Sequence, residues 1–210
     1  MKILVACEES QAVTGELRKL GHEAYSNDID DCSGPRQDWH LKMDCFDAVK
    51  LKEWDMIIMH PPCTAMTVSG NSTYGLNTDG TYKPKHYKRL EAVAWTQALW
   101  DLATSVCDKV AMENPVGVLN TMGRFPKATY IQPWQFGHTE QKKTGLWLYG
   151  LEPLKETHNV YKEMMTLPKS KRERLHYLPP SADRARLRSK TYLGIAKAIA
   201  KQWAGEINAK

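Results

Sequence analysis

No apolar run in this 210-residue chain approaches the roughly 18 residues that a helix needs to cross a bilayer. The N-terminus shows no secretory leader pattern either, because Met1-Lys2 runs straight into a short apolar stretch. Five cysteines, Cys7, Cys32, Cys45, Cys63 and Cys107, are odd in number and lack paired spacing, so no disulfide framework is expected. These absences predict a cytoplasmic protein with reduced thiols. No CxxC or HxxxH pattern supplies a ligand set, and His60 with Cys63 alone would leave a zinc ion short of ligands; no metal is expected. Repeats and low-complexity tracts are also missing. A strong charge imbalance is also missing: 29 Lys and Arg oppose 24 Asp and Glu, a net +5 that favours a polyanionic partner only weakly.

What is present is ordinary globular material. Hydrophobic residues make up 42% and charged residues 25%, and the length suits one domain with a substantial core. The positive excess is uneven. It gathers at Lys142, Lys143, Lys169, Lys171, Arg172, Arg174, Arg184, Arg186, Arg188 and Lys190, as a solvated face or a phosphate-contacting strip.

Along the chain, strand and helix patterns alternate. Lys2–Cys7 is a short apolar run of the kind a buried parallel strand shows. Ser10 is placed to cap a helix carrying Ala12, Val13, Leu17 and Leu20, which Gly21 stops. A second strand runs through Ala24 to Asp30, a third from Trp54 to Met59 into Pro61-Pro62, and a fourth from Lys109 to Met112 into Glu113-Asn114-Pro115. Leu90–Val106 reads as the helix between the last two. Strand-and-turn texture is expected over Gln132–Trp147, irregular basic chain over 151–182, and a closing helix over Tyr192–Ala204. The alternation predicts a doubly wound, mostly parallel α/β sheet over 1–210, with ligands at the carboxyl ends of its strands. The Gly/Asn/Thr/Tyr-rich stretch 64–88 is expected to be a structureless active-site loop.

Two constellations stand at strand ends. In His60-Pro61-Pro62-Cys63-Thr64, the prolines fix the backbone and remove donors, so Cys63 is presented at a defined place as a nucleophile, unless it is a small core hydrophobe. In Met112-Glu113-Asn114-Pro115-Val116, an acid in a partly dry pocket should gain proton affinity, unless the Glu-Asn pair only orders a loop.

Pro62-Cys63 and Glu113-Asn114 followed by Val116 resemble the Pro-Cys and Glu-Asn-Val loops of the 5-cytosine DNA methyltransferase family, in the same order and each behind a strand. The chain is similar over nearly its whole length to small methyltransferase-like proteins of phages and prophages. The resemblance implies a Rossmann-like fold that binds S-adenosylmethionine. Asp28 or Asp30 would hold its ribose and Asp44 its adenine, with Cys7, Glu8, Glu9, Ser10 and Pro61 around it. It further implies Cys63, Glu113 and Lys143 as catalytic residues. Pro62, Ser69, Asn71, Asn114, Gln141 and Lys142 would contact a flipped or single-stranded base, and Tyr74 would close over it. Gln141-Lys142-Lys143 resembles the family's Gln-x-Arg-x-Arg strand, and Thr191–Ala200 its closing Gly-Asn-Ala-Val segment.

Three departures qualify the likeness. The first loop, Ala6-Cys7-Glu8-Glu9-Ser10, lacks the family's glycines; Lys143 and Gly145 replace its arginines; and the short 151–182 insert stands where a recognition domain would. The expected activity is methylation of cytosine carbon-5 in DNA with low sequence selectivity. RNA or a free cytosine nucleotide is the alternative substrate, and a non-catalytic nucleic-acid-binding relic the alternative class.

Overall fold

Ile3 and Val5 face one side of a sheet and Leu4 and Ala6 the other, all fully buried, as a strand covered on both faces requires. The computed structural model describes residues 1–207. Among them β1 (Lys2–Ala6), β2 (Glu23–Asp28), β3 (His40–Lys42), β4 (Met56–Met59), β5 (Val110–Pro115), β6 (Thr129–Ile131) and β7 (Thr144–Tyr149) form one sheet in the order β3-β2-β1-β4-β5-β7-β6. The first five strands pair in parallel, whereas β7 runs antiparallel to both β5 and β6. The fold is therefore the expected Rossmann-like, doubly wound α/β sheet. Its winding reverses between β1 and β4, the crevice where such sheets bind ligands.

Helices cover both faces. On one side α1 (Ala12–Lys19) packs with α9 (Leu193–Ile199), through Val13, Leu17, Ile195 and Ile199. On the other, α2 (Cys45–Lys50) packs with α4 (His86–Val106), through Ala48, Val49, Val93 and Leu99. Smaller helices are α3 (Asn71–Tyr74), α5 (Leu119–Met122), α6 (Tyr161–Thr166), α7 (Lys169–Arg172) and α8 (Arg184–Ser189). No helix among the described residues is long and apolar enough to cross a membrane.

Several expectations need correction. The second strand ends at Asp28, not Asp30, because Asp28 Oδ1 accepts the Asp30 N–H at 3.2 Å and turns the chain. The edge strand β3 and the helix α2 behind it were not expected; Asp44 caps α2 by accepting Phe46 N–H at 2.8 Å. Ser10 Oγ reaches Ala12 N–H only at 3.4 Å, so the capping of α1 falls to Glu8, which accepts Val13 N–H at 2.6 Å, Thr14 N–H at 3.2 Å and the Thr14 hydroxyl at 2.7 Å. The stretch 64–88 is not structureless: it holds a helical turn at Val68–Gly70, α3, a Leu76–Tyr82 bridge and the start of α4 at His86 rather than Leu90. The 151–182 insert contains α6 and α7, and the closing helix α9 passes into a π-helical turn at Ala200–Ala204.

Candidate active site

Strand β4 is fully buried to Met59 and then releases His60, Pro61, Pro62 and Cys63 at its carboxyl end. Without donors of their own, the prolines leave this turn to be held by its carbonyls. The Pro61 carbonyl accepts Asn114 Nδ2–H at 2.9 Å, and the Cys63 carbonyl accepts Met66 N–H at 2.9 Å and Thr67 N–H at 3.0 Å. From α4 the buried Arg89 donates through Nε to the Ala65 carbonyl at 2.7 Å and through Nη2 to that of Thr67 at 3.4 Å. The residues after β5 close on the same segment: Val68 N–H donates to the Val116 carbonyl and Val118 N–H to that of Met66. This approach demands glycine at 117, where a Cβ would meet the Met66 carbonyl at 2.1 Å. Cys63 is thus half-buried on a turn stitched to the Glu113-Asn114 loop.

Glu113 ends in a pocket with His60. The His60 Nδ1 lies 3.2 Å from Glu113 Oε2, with side-chain exposures of 10% and 15%. Burial alone pushes the Glu113 carboxyl up, but the His60 hydrogen bond and the charge of Lys142 outweigh it and hold the group below the usual carboxylate range. That overturns the expected gain in proton affinity. Burial and the Glu113 charge together push the Cys63 thiol up, against partial relief from Lys142 and Arg188. At rest the pair is therefore a thiol beside a carboxylate. The crevice against Glu113 is walled by Ile131, Lys142, Thr144, Thr191, Tyr192 and Ile195, so the closing segment lines it. Its glycine is needed there as well, since a Cβ on Gly194 would meet the Phe136 carbonyl at 1.9 Å. Beside it, the Tyr192 hydroxyl donates to Glu140 Oε2 at 2.7 Å.

A second group lies at the ends of β1 and β2 and beyond β3. The charges of Asp28 and Asp44 both reach Cys7, whose thiol is held well above its ordinary range, first by hydrogen bonding with Cys45 and then by burial. Without glycine the first loop still turns as a glycine would allow: Cys7 has φ 57 and Gln11 φ 55. Such strain costs about 1–3 kcal/mol per residue. Gln11 is over-determined by contacts to Ser26 Oγ and to the Arg36 carbonyl and N–H. Glu8 faces α1 and is already bonded. Glu9 Oε2 accepts Ser33 N–H at 3.1 Å, while its buried Oε1 has no partner among the described residues. Asp30 is exposed.

The structure brings Cys63, Glu113, Asn114, Pro61 and Lys142 together, and separately Cys7, Asp28 and Asp44. It does not bring Lys143: that side chain is exposed, with its ammonium 4.5 Å from the centre of the Tyr130 ring. Lys142 is the lysine at the pair, and its Nζ donates to the Arg188 carbonyl at 2.9 Å. Ser69 Oγ bonds the Thr67 hydroxyl at 3.0 Å, and Asn71 starts α3. Pro62 is exposed on the turn, and Gln141 N–H donates to the Arg172 carbonyl, tying the insert to the approach of β7. From the sequence, His60 counts only as one of too few zinc ligands, Arg188 only as part of the basic strip, and Arg89 not at all. His60 had a signal in its place beside the prolines; Arg89 had none. Of the basic strip, Arg174 pairs with Glu140 at 3.0 Å, Arg186 with Asp183 at 3.0 Å and Lys169 with Glu173 at 3.9 Å. No group of three or more His, Cys, Asp or Glu among the described residues is placed to hold a metal.

Neither a family model nor a curated protein sequence matches the chain. Among solved structures, a prophage-encoded E. coli protein solved as a candidate DNA modification methyltransferase aligns with a TM-score of 0.42 and 10% identity, over 70% of this chain and 46% of that one. The Entamoeba histolytica methyltransferase EhMeth aligns with a TM-score of 0.43 and 10% identity, over 75% and 57%. The chain spans about half the length of these two structures.

Proposed function

We propose that this protein transfers a methyl group from S-adenosylmethionine to carbon-5 of cytosine in DNA. The observation that carries the reading is the hydrogen-bonded joining of the Cys63 turn to the Glu113-Asn114 loop, through Asn114 to the Pro61 carbonyl and the exchanges at Val68 and Val118. The Glu113 charge reaches the thiol, and Lys142 acts on both groups. Carbon-5 of cytosine is a poor nucleophile until a thiolate adds at carbon-6. The resting pair holds its proton on the sulfur, and the reacting pair needs it near the base. Transfer of the Cys63 proton to Glu113, and from there to ring nitrogen-3, makes that exchange without changing the net charge of the site. Sulfur bonds to carbon-6 as the ring gains its proton, leaving an enamine whose carbon-5 takes the methyl group. Water reaching the turn then takes the carbon-5 proton, and the carbon-6 to sulfur bond breaks to release Cys63 as thiolate. The nitrogen-3 proton returns to it through Glu113, so that one proton leaves to solvent for each methyl group transferred. Lys142 and Arg188 favour the thiolate at the start and the end of this cycle. The reacting base must be flipped out or unpaired to reach the turn.

The cofactor reading fits the crevice at the winding reversal. S-adenosylmethionine offers ribose hydroxyls, an ammonium and a sulfonium. The acids Asp28 and Asp44 and the unpartnered buried Glu9 Oε1 suit donors and positive charge. When bound, it supplies an electrophilic methyl group. The short 151–182 insert supports low sequence selectivity, and the basic strip supports phosphate contacts by Lys171, Arg172, Arg184 and Arg188. The setting is the cytoplasm of a bacterial or phage-infected cell, where thiols stay reduced.

Labelled S-adenosylmethionine offered with single-stranded DNA, duplex DNA, RNA and dCMP tests this directly. Label should enter DNA and co-migrate with 5-methylcytosine after digestion. Label confined to RNA or dCMP would change the substrate, and none anywhere would remove methyl transfer.

A further inference from the structure

Tyr82 lies flat on His86, with ring centroids 4.4 Å apart and planes inclined by 18°, while 72% of Tyr82 stays exposed. The ring beneath is fixed: His86 is buried, and its Nδ1 is 2.8 Å from the Tyr74 carbonyl. The backbone on either side is also held. Leu76 and Tyr82 form a bridge, and Lys83 donates through N–H to the Gly75 carbonyl and through Nζ to that of Ser72. One face of an aromatic ring is thus presented to solvent on a rigid support.

The surroundings are cationic and aromatic in alternation: Tyr82-Lys83-Pro84-Lys85-His86-Tyr87-Lys88. Lys85, Tyr87 and Lys88 are exposed, and neither lysine pairs with a carboxylate among the described residues. No acid lies in the first turn of α4 and no side chain caps it, so its dipole adds to the positive field. The nearest preceding acid, Asp79, is bonded to the N–H and hydroxyl of Thr81. The patch is also tied to the candidate site, because Arg89, one residue past Lys88, holds the carbonyls of Ala65 and Thr67 just downstream of Cys63.

We propose that Tyr82, laid on His86 and flanked by Lys85 and Lys88, is a stacking platform for an unpaired base of single-stranded DNA beside the cytosine at Cys63. The role rests on the function proposed above. A single strand has free base faces, whereas in a duplex those faces are stacked on one another. An aromatic face accepts any base, which suits a protein of low sequence selectivity, and the lysines neutralise the flanking phosphates. A ring already held in place loses little freedom when a base settles on it.

Fluorescence anisotropy with a short labelled oligonucleotide and no cofactor tests the platform. The single strand should bind more tightly than the duplex of the same sequence. Tyr82→Ala should weaken single-strand binding by about 5- to 150-fold, the span for one stacked base, and leave duplex binding unchanged. Tyr82→Phe, which keeps the ring, should bind like wild type. Lys85→Gln and Lys88→Gln should each flatten the salt dependence, by about 0.7 in log-log slope for each phosphate no longer neutralised. Equal single-strand affinity for Tyr82→Ala and wild type, with both folded by circular dichroism, overturns the proposal. So does an equal loss on duplex, or RNA bound as tightly with the same dependence on Tyr82. If these dependences hold while no DNA is methylated, the platform stands and the catalytic reading falls.

Discussion

His60 Nδ1 stands 3.2 Å from Glu113 Oε2, a contact between side chains 53 positions apart in the chain and largely closed to solvent. An ionised carboxylate can only accept, so the shared hydrogen belongs on Nδ1. Because the contact favours the ionised form, Glu113 has a folded pKa below its unfolded value of about 4.3. Its contribution to stability is then fully present above that value and lost as pH falls through the lower folded one. The melting-temperature advantage of wild type over Glu113→Gln should accordingly be flat from neutral pH down to about pH 5 and shrink below about pH 4. An advantage that grows on acidification would mean that Glu113 is held neutral.

Glu113→Gln should also lower turnover by roughly two orders of magnitude or more, the range for a lost general acid. DNA carrying 5-fluorocytosine should trap wild-type protein, since fluorine cannot leave as a proton does, and Cys63→Ser should not be trapped. Equal trapping of both proteins removes Cys63 as the nucleophile.

Lys142 and Lys143 separate cleanly in a thiol assay. Alkylation of Cys63, followed by mass spectrometry of its peptide, should reach half its maximal rate above the ordinary thiol pKa of about 8.5. Lys142→Met removes a charge that favours the thiolate and should move that midpoint higher. Lys143→Met should leave it in place, because its ammonium sits over Tyr130. A shift with Lys143→Met alone would reverse the assignment.

Asn114 and Arg89 hold the Cys63 turn at carbonyls before and after the cysteine, those of Pro61 and Ala65. Asn114→Ala leaves the buried Pro61 carbonyl unpaired and should cost about 1–3 kcal/mol of stability. Arg89→Met removes the support of Ala65 and Thr67. Both variants should slow 5-fluorocytosine trapping while binding S-adenosylhomocysteine like wild type; normal trapping would show that the turn holds itself.

Calorimetry with S-adenosylhomocysteine tests the other half of the crevice. Asp28→Asn and Asp44→Asn should weaken binding at least tenfold, about 1.4 kcal/mol. Glu8→Ala should instead destabilise the fold by about 0.5–2 kcal/mol, as loss of a helix cap does, and spare the ligand. Weaker binding with Glu8→Ala in a protein of unchanged stability would reverse these roles.

The sheet and its reactive ends were legible because parallel strands covered on both faces read as short apolar runs. Val5, Ile57, Ile58 and Ala111 say as much without reference to any other segment. The proline pair, and the acids that follow the strands, mark where those runs must stop. The three-residue strand β3 is only partly buried, so no apolar signal announced it. Nothing near Arg89 in the sequence says that it reaches back to Ala65.

Which lysine meets Glu113 was not legible either. Neighbouring side chains at a strand entrance point opposite ways, and the register decides between them: Glu113 pairs with Leu146 and Pro115 with Thr144, which fixes the approach from Lys142. The same holds for His60 and Glu113, which meet only because β4 and β5 are neighbours in the sheet. Local composition and periodicity determined that this chain would present a cysteine and a glutamate at the ends of buried strands. Strand order and register, properties of the whole sheet, decided which groups surround them. Those neighbours in turn set where the proton rests, since a charge acts over a few ångströms of space whatever the separation along the chain.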